Sequence, residues 1–371
     1  MTPRQQEVAN LRNSGMSFRD IGAKLGISKV AAFNLNKRAQ KYLNIDQGIK
    51  DAMSDTGLAD IANVSSGWLK TDTASIRFTV DHGDTVKASF IDEVREAFAD
   101  VPCRSGLPVQ EFEATGLCTF YNIVDHHLAM RSWGEETGQD YDLSRGIEVL
   151  TDAMGQLVAS TPPSDHAVVL NLGDFFHMDD SNNQTPQSKH ALDVDGRYFK
   201  VIQAGVALTC ACIDMAAAKH KRVTYRALRG NHDIHAHVAL TVALDHHYRD
   251  CDNVTIETNP SDFFVFEHGR NMICAHHGDK AKADRLVLHM ADRYNEIWGR
   301  THWRYMWTGH IHHDSVKEIG GVLWESFRTL APKDAYTAGH AYSARQSMQA
   351  ITLHETRGET LRNKVQIAQP D

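Results

Sequence analysis

Polar residues of metal-binding type follow five short apolar runs between residues 117 and 312. Ligands of α/β proteins bind beyond the carboxyl ends of strands, so we expect groups that are far apart in the sequence to meet there. Imidazole, carboxylate and amide donors without thiolates suit Mn, Fe, Zn, Co or Ni. The five clusters are Asp125-His126-His127, Gly173-Asp174-Phe175-Phe176-His177, Gly230-Asn231-His232-Asp233, His276-His277-Gly278-Asp279 and Gly309-His310-Ile311-His312.

These residue types suit two divalent ions about 3.5–4 Å apart. A carboxylate can bridge both ions, and Asp174, directly after its apolar run, is the candidate. Asp125 and His127 are two residues apart, so both extend from one short turn after a strand. Asn231 offers a neutral amide oxygen. The cofactor prediction is therefore two divalent metal ions, with Mn²⁺ as the first candidate and Fe, Zn, Co or Ni as the others.

The elements that must position these clusters alternate between strands and helices, which indicates an α/β core. Short apolar runs alternate with helical stretches near 145–158, 198–218 and 237–248. The runs predicted as strands are Leu117–Val124, Ala167–Leu172, Arg222–Ala227, Phe263–Phe266, Met272–Ala275, Tyr305–Thr308, Val322–Trp324 and Ala350–Leu353.

The first 45 residues differ from the rest in charge. Eight Lys and Arg stand there against two acidic residues, a net charge of +6, so the other 326 residues carry −14 of the total of −8. The pattern predicts three short helices, with Ser17 capping the second, Gly26 in a turn and Ser28 capping the third. The stretch from Ser17 to Phe33 resembles a helix-turn-helix of transcription regulators and resolvases; a three-helix interaction module is the alternative.

The bulk composition indicates a cytoplasmic protein. Six cysteines lack C-x-x-C spacing, which fits neither a disulfide framework nor a zinc ribbon. No apolar run approaches the length of a membrane span, and Met1–Gln6 is polar. We therefore expect no membrane association. The sequence does not indicate an oligomeric state.

The five clusters together resemble the calcineurin-like metallophosphoesterase superfamily, whose pattern is D-x-H, G-D-x-x-[DH], G-N-H-[DE], H and G-H-x-H. All five parts stand here in that order, over about residues 117–330. The resemblance implies one ion held by Asp125, His127, Asp174 and His312. It implies a second ion held by Asp174, Asn231, His310 and the fourth-motif histidine, which is either His277, the favoured residue, or His276.

The same resemblance implies roles for three further residues. His232 matches the catalytic histidine of the family, which protonates the leaving oxygen or stabilises its charge. Asp233 is a second catalytic candidate that could orient the His232 ring. His177 occupies a variable position and is expected behind the ligands.

A closer likeness is to phosphoesterases of bacteriophages, which would place the protein in a host cytoplasm. The expected fold is a four-layer α/β/β/α sandwich preceded by a small all-α helix-turn-helix domain. The predicted domains are 1–45 for the helix-turn-helix, 46–110 for a linker or accessory region, and 111–371 for the metallophosphoesterase domain. The segments that carry the likeness are Trp133–Gly138 with Tyr141, Ala291–Arg293 with Trp298 and Gly299, and Leu330–Ala335.

The resulting functional hypothesis is hydrolysis of phosphodiester bonds, in DNA, by metal-bound hydroxide. The basic N-terminal helices favour DNA as partner, and the expected contacts are Lys29, Asn34, Lys37, Arg38 and Lys41. One alternative is a phosphomonoesterase or protein phosphatase with an N-terminal protein-interaction module. Another is a DNA-binding regulator with an inactive phosphoesterase domain, against which the intact ligand set argues.

Overall fold

The computed structural model describes residues 3–37, 39, 66–71, 74–79, 107–340 and 345–367. Contacts divide the chain into two compact units, Met1–Ala97 and Phe98–Asp371. The predicted contacts Arg38 and Lys41, and most of the linker or accessory region predicted at 46–110, lie outside the described residues.

The first unit begins with the three helices that the sequence predicts. They are α1 (Pro3–Asn13), α2 (Phe18–Leu25) and α3 over residues 29–37. The Ser17 side chain caps α2, Gly26 ends it in the left-handed conformation (φ 64°), and Ser28 Oγ accepts from the Ala31 amide at 3.1 Å. Val8, Ile21 and Ala32 form the small core. The same unit contains an antiparallel hairpin of β1 (Ser66–Thr71) and β2 (Ala74–Thr79).

The second unit is mixed α/β and contains two sheets. Its six-stranded sheet has the order β13-β12-β3-β4-β5-β6, in which β3 to β6 run parallel. The strands are β3 (Leu117–Ile123), β4 (His166–Asn171), β5 (Val223–Ala227), β6 (Val254–Ile256), β12 (Ser347–His354) and β13 (Gly358–Gln366). The helices between them are α4 (Gly134–Thr137), α5 (Leu143–Ser160), α6 (Tyr198–Ala217) and α7 (Ala236–Tyr248).

The five-stranded sheet has the order β10-β11-β9-β8-β7, with β8, β9 and β11 parallel to one another. Its strands are β7 (Phe264–His268), β8 (Asn271–Ala275), β9 (Trp303–Thr308), β10 (Ser315–Ile319) and β11 (Val322–Ser326). The remaining helices are α8 (Ala283–Arg293), α9 (Asn295–Arg300) and α10 (Ala335–Gly339).

Three apolar clusters hold these elements together. The first joins helices α5, α6 and α7 to the six-stranded sheet. The second joins the two sheets, where the Phe120 ring of β3 meets Phe266 of β7 at 5.6 Å and Trp307 of β9 at 5.0 Å. The third packs α8 on the five-stranded sheet through Leu286 and Met290. Burial of these side chains is the main stabilising contribution.

One helix of the described ranges, α6, is long and apolar enough to cross a membrane by length and composition alone. Its Val201, Leu208 and Ile213 are buried in the first apolar cluster. Core helices of this kind pass the same test.

Candidate metal centre

The five polar clusters meet where the carboxyl ends of the parallel strands of both sheets come together. The β3–β4–β5 neighbours deliver Asp125, Asp174 and Asn231, each within four residues of its strand end. The β8–β9 neighbours deliver His277, His310 and His312 from the other sheet. The structure thus brings together the residues that the sequence proposes as ligands.

The backbone at these loop starts is unusual. Eight described residues other than glycine have positive φ, and five of them are proposed ligands: Asp125, His127, Asp174, His310 and His312, at 44–68°. Each left-handed residue costs about 1 kcal/mol or more, and such residues cluster at functional sites. Gly230 allows close approach of two loops, since a Cβ there would lie 2.0 Å from Asp174 Oδ1.

The first group of ligand atoms belongs to Asp125, His127 and His312, which lie within 4.8 Å of one another. His127 Nε2 is 3.4 Å from His312 Nε2, and the latter is 3.8 Å from Asp125 Oδ1. Asp125 Oδ2 accepts from the His310 amide at 2.8 Å, whereas Oδ1 is buried and lacks a hydrogen-bond partner among the described residues. Buried polar atoms are normally satisfied, so Oδ1 fits a ligand atom.

The second group consists of Asp174, His277 and His310, joined by the Asn231 amide oxygen. His277 donates from Nδ1 to the carbonyl of Leu172 at 2.9 Å, which leaves Nε2 to face the cluster. That Nε2 lies 3.2 Å from Asn231 Oδ1 and 3.3 Å from Asp174 Oδ2. Neighbouring ligands of a tetrahedral ion with bonds of about 2.0–2.1 Å are about 3.4 Å apart. The donor set and spacing therefore fit a divalent ion.

Electrostatics at the centre also favour a bound cation. Burial works to lower the pKa of His277, but the charges of Asp174 and Asp125 raise it to about 10. Burial works to raise the pKa of Asp174, but His277 and His232 hold that pKa well below its usual range. A proton on His277 thus compensates the buried Asp174 carboxylate, and an ion bound at Nε2 would displace that proton. Burial raises the pKa of Asp125 to about 8.

Two other histidines of the centre, His127 and His312, have lowered pKa values. Burial lowers the pKa of His312 to about 4 and that of His127 well below its usual value. His127 Nδ1 lies 3.2 Å from His177 Nδ1, so one of the two carries a proton toward the other. If His127 Nδ1 donates this hydrogen bond, its Nε2 keeps a lone pair that can bind a metal. Ligating histidines usually donate their other ring N–H to a hydrogen-bond partner in this way. His127, His177 and His232 also form a third group of possible ligand atoms within 4.8 Å of one another, so the position of His177 behind the ligands stays a prediction.

His232 has a fixed ring orientation. Its Nδ1 faces the His177 carbonyl at 2.9 Å, and its ring stacks on His177 at 5.2 Å. A carbonyl can only accept, so Nδ1 holds a proton and Nε2 is directed elsewhere. The His232 amide donates to Asp174 Oδ1 at 2.7 Å, which ties this residue to the proposed bridging carboxylate.

Asp233 does not orient the His232 ring, which corrects the role suggested from the sequence. Its carboxylate is fully buried and accepts from the amides of Phe175 and Gly230 at 2.8 and 2.9 Å. Three backbone donors, including Phe176, occupy the carboxylate, so the His177 carbonyl is left to orient His232. Asp233 instead joins the loop that carries Asp174 to the loop that carries Asn231.

Between the two fourth-motif histidines, it is His277 that the structure brings to the cluster. The His276 ring packs on Phe263 at 4.8 Å, and its Nδ1 accepts from the Gly278 amide at 2.9 Å. Consecutive residues at a strand end point in opposite directions, so only one of the pair can face the centre.

The proposed DNA contacts belong to the first unit. Lys29, Asn34 and Lys37 are exposed on α3. Val30 and Phe33, also on this helix, are 67% and 50% exposed. An exposed α3 with basic residues suits either a nucleic acid or a protein partner.

Sequence reasoning missed a cleft beside the centre. Its volume is about 330 Å³, and three of its lining residues, Asn231, His232 and His310, belong to the centre. The other walls come from the loop at 185–192, from Asp279 and Lys280, and from Asp334 and Tyr336. No spacing signal connects these segments, because the fold alone brings them together.

No protein-family model matches this sequence, and no curated protein matches it. Structural likenesses include a conserved uncharacterized protein of Streptococcus pneumoniae, described as a predicted phosphoesterase, with 12% identity and a TM-score of 0.30 over 68% of this chain and 100% of that one. An archaeal phosphodiesterase has 12% identity and a TM-score of 0.31, covering 68% and 99%. Vps29 of Entamoeba histolytica complexed with Zn²⁺ has 13% identity and a TM-score of 0.29, covering 67% and 98%. At these TM-scores the likenesses do not decide function.

Proposed function

We propose that the protein is a dinuclear-metal phosphoesterase whose second unit is the α/β/β/α sandwich of the calcineurin-like metallophosphoesterases. The observation that carries this proposal is the convergence of seven side chains from five strand ends into two groups of nitrogen and oxygen donors. Such a set suits two hard or borderline divalent ions. Mn²⁺ is the first candidate, with Fe, Zn, Co and Ni as alternatives.

In the proposed reaction, two bound ions would supply Lewis acidity and a nucleophile near neutral pH. Asp174, Asn231 and the histidines would fix where the substrate phosphate binds. The Nδ1 proton of His232 is held by the His177 carbonyl. Its Nε2, when protonated, would donate to the leaving oxygen. Asp233 would hold the Asp174 loop against the Asn231 loop without contacting the substrate.

For the substrate, we propose a phosphodiester, in DNA. The support is the net charge of +6 in residues 1–45 together with the exposed Lys29 and Lys37 on α3. A helix-turn-helix arrangement of α2 and α3 would place α3 on the nucleic acid. The setting that we propose is the cytoplasm of a bacteriophage host, with which the absence of C-x-x-C spacing among the six cysteines of the sequence agrees.

A substrate panel tests this proposal. The Mn²⁺-loaded protein is incubated with linear DNA, bis(p-nitrophenyl) phosphate and p-nitrophenyl phosphate. We expect hydrolysis of the DNA and of the diester dye, and little of the monoester. Hydrolysis of the monoester alone would support a phosphomonoesterase instead, and activity on none of the three would contradict the phosphoesterase assignment.

A further inference from the structure

The cleft beside the metal centre has an aromatic wall that the proposed catalysis does not use. Tyr336 of α10 is 55% exposed and lines this cleft. Its ring lies 5.8 Å from the ring of His190, on the opposite loop, at an angle of 42°. The Tyr336 ring also packs on the ring of His340 at 4.2 Å, and Tyr336 and His190 line the cleft together with His232.

The loop that carries His190 is braced by its own hydrogen bonds. Thr185 donates from its amide to the His190 carbonyl at 3.0 Å, and its Oγ1 accepts from the His190 amide at 3.0 Å. Thr185 also accepts from the Lys189 amide at 3.0 Å, and Gln184 forms a bridge with Ala191. A wall fixed in this way loses little conformational entropy when a ligand binds.

The charges of the cleft do not suit a second phosphate. Asp279 accepts from Arg229 at 2.9 Å, and Lys280 pairs with Asp262 at 2.7 Å. Asp334 accepts from the Thr337 amide at 2.8 Å. The basic groups near the cleft are therefore already paired with carboxylates, which favours an uncharged, planar group over a polyanion.

We propose that this cleft binds the nucleoside attached to the substrate phosphate, with the base stacked in the Tyr336–His190 wall. Aromatic side chains stack on any base and tolerate different sequences. The volume of about 330 Å³ lies at the small end of ligand pockets, which suits one nucleoside unit. This inference rests on the proposed function and adds the recognition of a single base beside the reacting phosphate.

Binding is measured by calorimetry on the full-length, Mn²⁺-loaded protein. The ligands are thymidine 5′-monophosphate, thymidine 3′-monophosphate and, as a nucleoside-free reference, methyl phosphate. We expect at least one nucleotide to bind roughly 5-fold to 100-fold more tightly than methyl phosphate, the range of one base stack. Tyr336→Ala should remove most of this ratio, and Tyr336→Phe should keep it because the ring is retained.

Phe199→Ala is the matched control, because Phe199 is 74% exposed and lies outside the cleft lining. It should leave the ratio unchanged. Equal binding of methyl phosphate and both nucleotides would overturn the inference, as would an equal loss in Tyr336→Phe and Tyr336→Ala. Tighter, Tyr336-dependent binding of a phosphoserine peptide would also overturn it. Hydrolysis of methyl p-nitrophenyl phosphate, measured alongside, tests the phosphoesterase function separately.

Discussion

Single residues of the centre could be predicted because their chemistry restricts the choice. Aspartate, asparagine and histidine at strand ends have few structural reasons to occur together, so ordered motifs identified Asp125, Asp174 and His310. The sequence did not show what orients each ring. The partner of His232 is a backbone carbonyl, that of His177. Every residue has a backbone carbonyl, so the residue type at position 177 does not indicate that its carbonyl orients His232.

We predict that His232 donates a proton and binds no metal. His232→Ala should keep both ions but lose about a hundredfold in rate. The loss should be smaller for diesters with good leaving groups, which need little protonation. Rates for p-nitrophenyl and ethyl esters, with metal analysis of each variant, measure this.

The control for that experiment is His313→Ala. This exposed histidine stands next to His312, and among the described residues its hydrogen-bond partner is the Ile311 carbonyl at 2.6 Å. The variant should keep the wild-type rate. An equal loss in His232→Ala for good and poor leaving groups would remove His232 from the acid role.

Among the elements, the buried strands could be predicted, whereas three of the four edge strands could not. Apolar runs predicted β3, β4, β5, β8 and β9 to within about two residues. The edge strand β7 was also predicted, but the edge strands β6, β10 and β13 were missed. Most side chains of these three strands are exposed or half-buried. Half-exposed edge strands do not require the apolar pattern by which a strand is recognised.

A buried histidine between elements predicts a pH effect on stability. His220 accepts from the Ser164 amide at its Nδ1 (3.0 Å), so its Nε2 holds the proton and donates to the Tyr121 hydroxyl at 2.8 Å. Burial, and secondarily Lys219, lowers the pKa of His220 to about 4. A proton added at Nδ1 would face another donor.

The pKa of His220 is thus lower in the folded state than its ordinary value of about 6.5. The stability that its neutral form contributes is present above pH 6.5 and is lost as the pH falls toward 4, by roughly 3 kcal/mol in all. His220→Gln, which can still accept and donate, should flatten the pH dependence of the free energy of unfolding in urea between pH 6.5 and 4. Identical slopes for both proteins would contradict this explanation. Burial also lowers the pKa of His166 to about 4. His166 should therefore preserve part of the pH dependence of the unfolding free energy in the His220→Gln variant.

At the scale of the whole molecule, charge divides the chain more clearly than any boundary motif. The proposed metal ligands lie wholly beyond residue 117, whereas the basic excess lies before residue 46. The domain limits at 45 and 110 remain predictions, because much of that stretch lies outside the described residues.

Because the chain divides into two units, we expect DNA binding and diester hydrolysis to be separable. Deleting residues 1–45 should weaken DNA binding and flatten its salt dependence, which for three to five phosphate contacts has a log–log slope of roughly −3 to −5. Hydrolysis of a small diester dye should survive. Gel-shift titrations at two salt concentrations compare full-length protein, the deletion and the Lys29→Ala/Lys37→Ala variant. Equal DNA binding by all three would assign the segment to a protein partner.

The most direct test of the account is the metal content of the purified protein, measured by elemental analysis after loading with Mn²⁺. We predict about two ions per chain in the wild type and in the control Asp284→Asn, whose exposed carboxylate lies outside the centre. Asp174→Asn should bind fewer ions and lose most diester hydrolysis, because the proposed bridging charge is gone. Two ions in Asp174→Asn, or full activity of the wild type in excess chelator, would contradict the dinuclear centre.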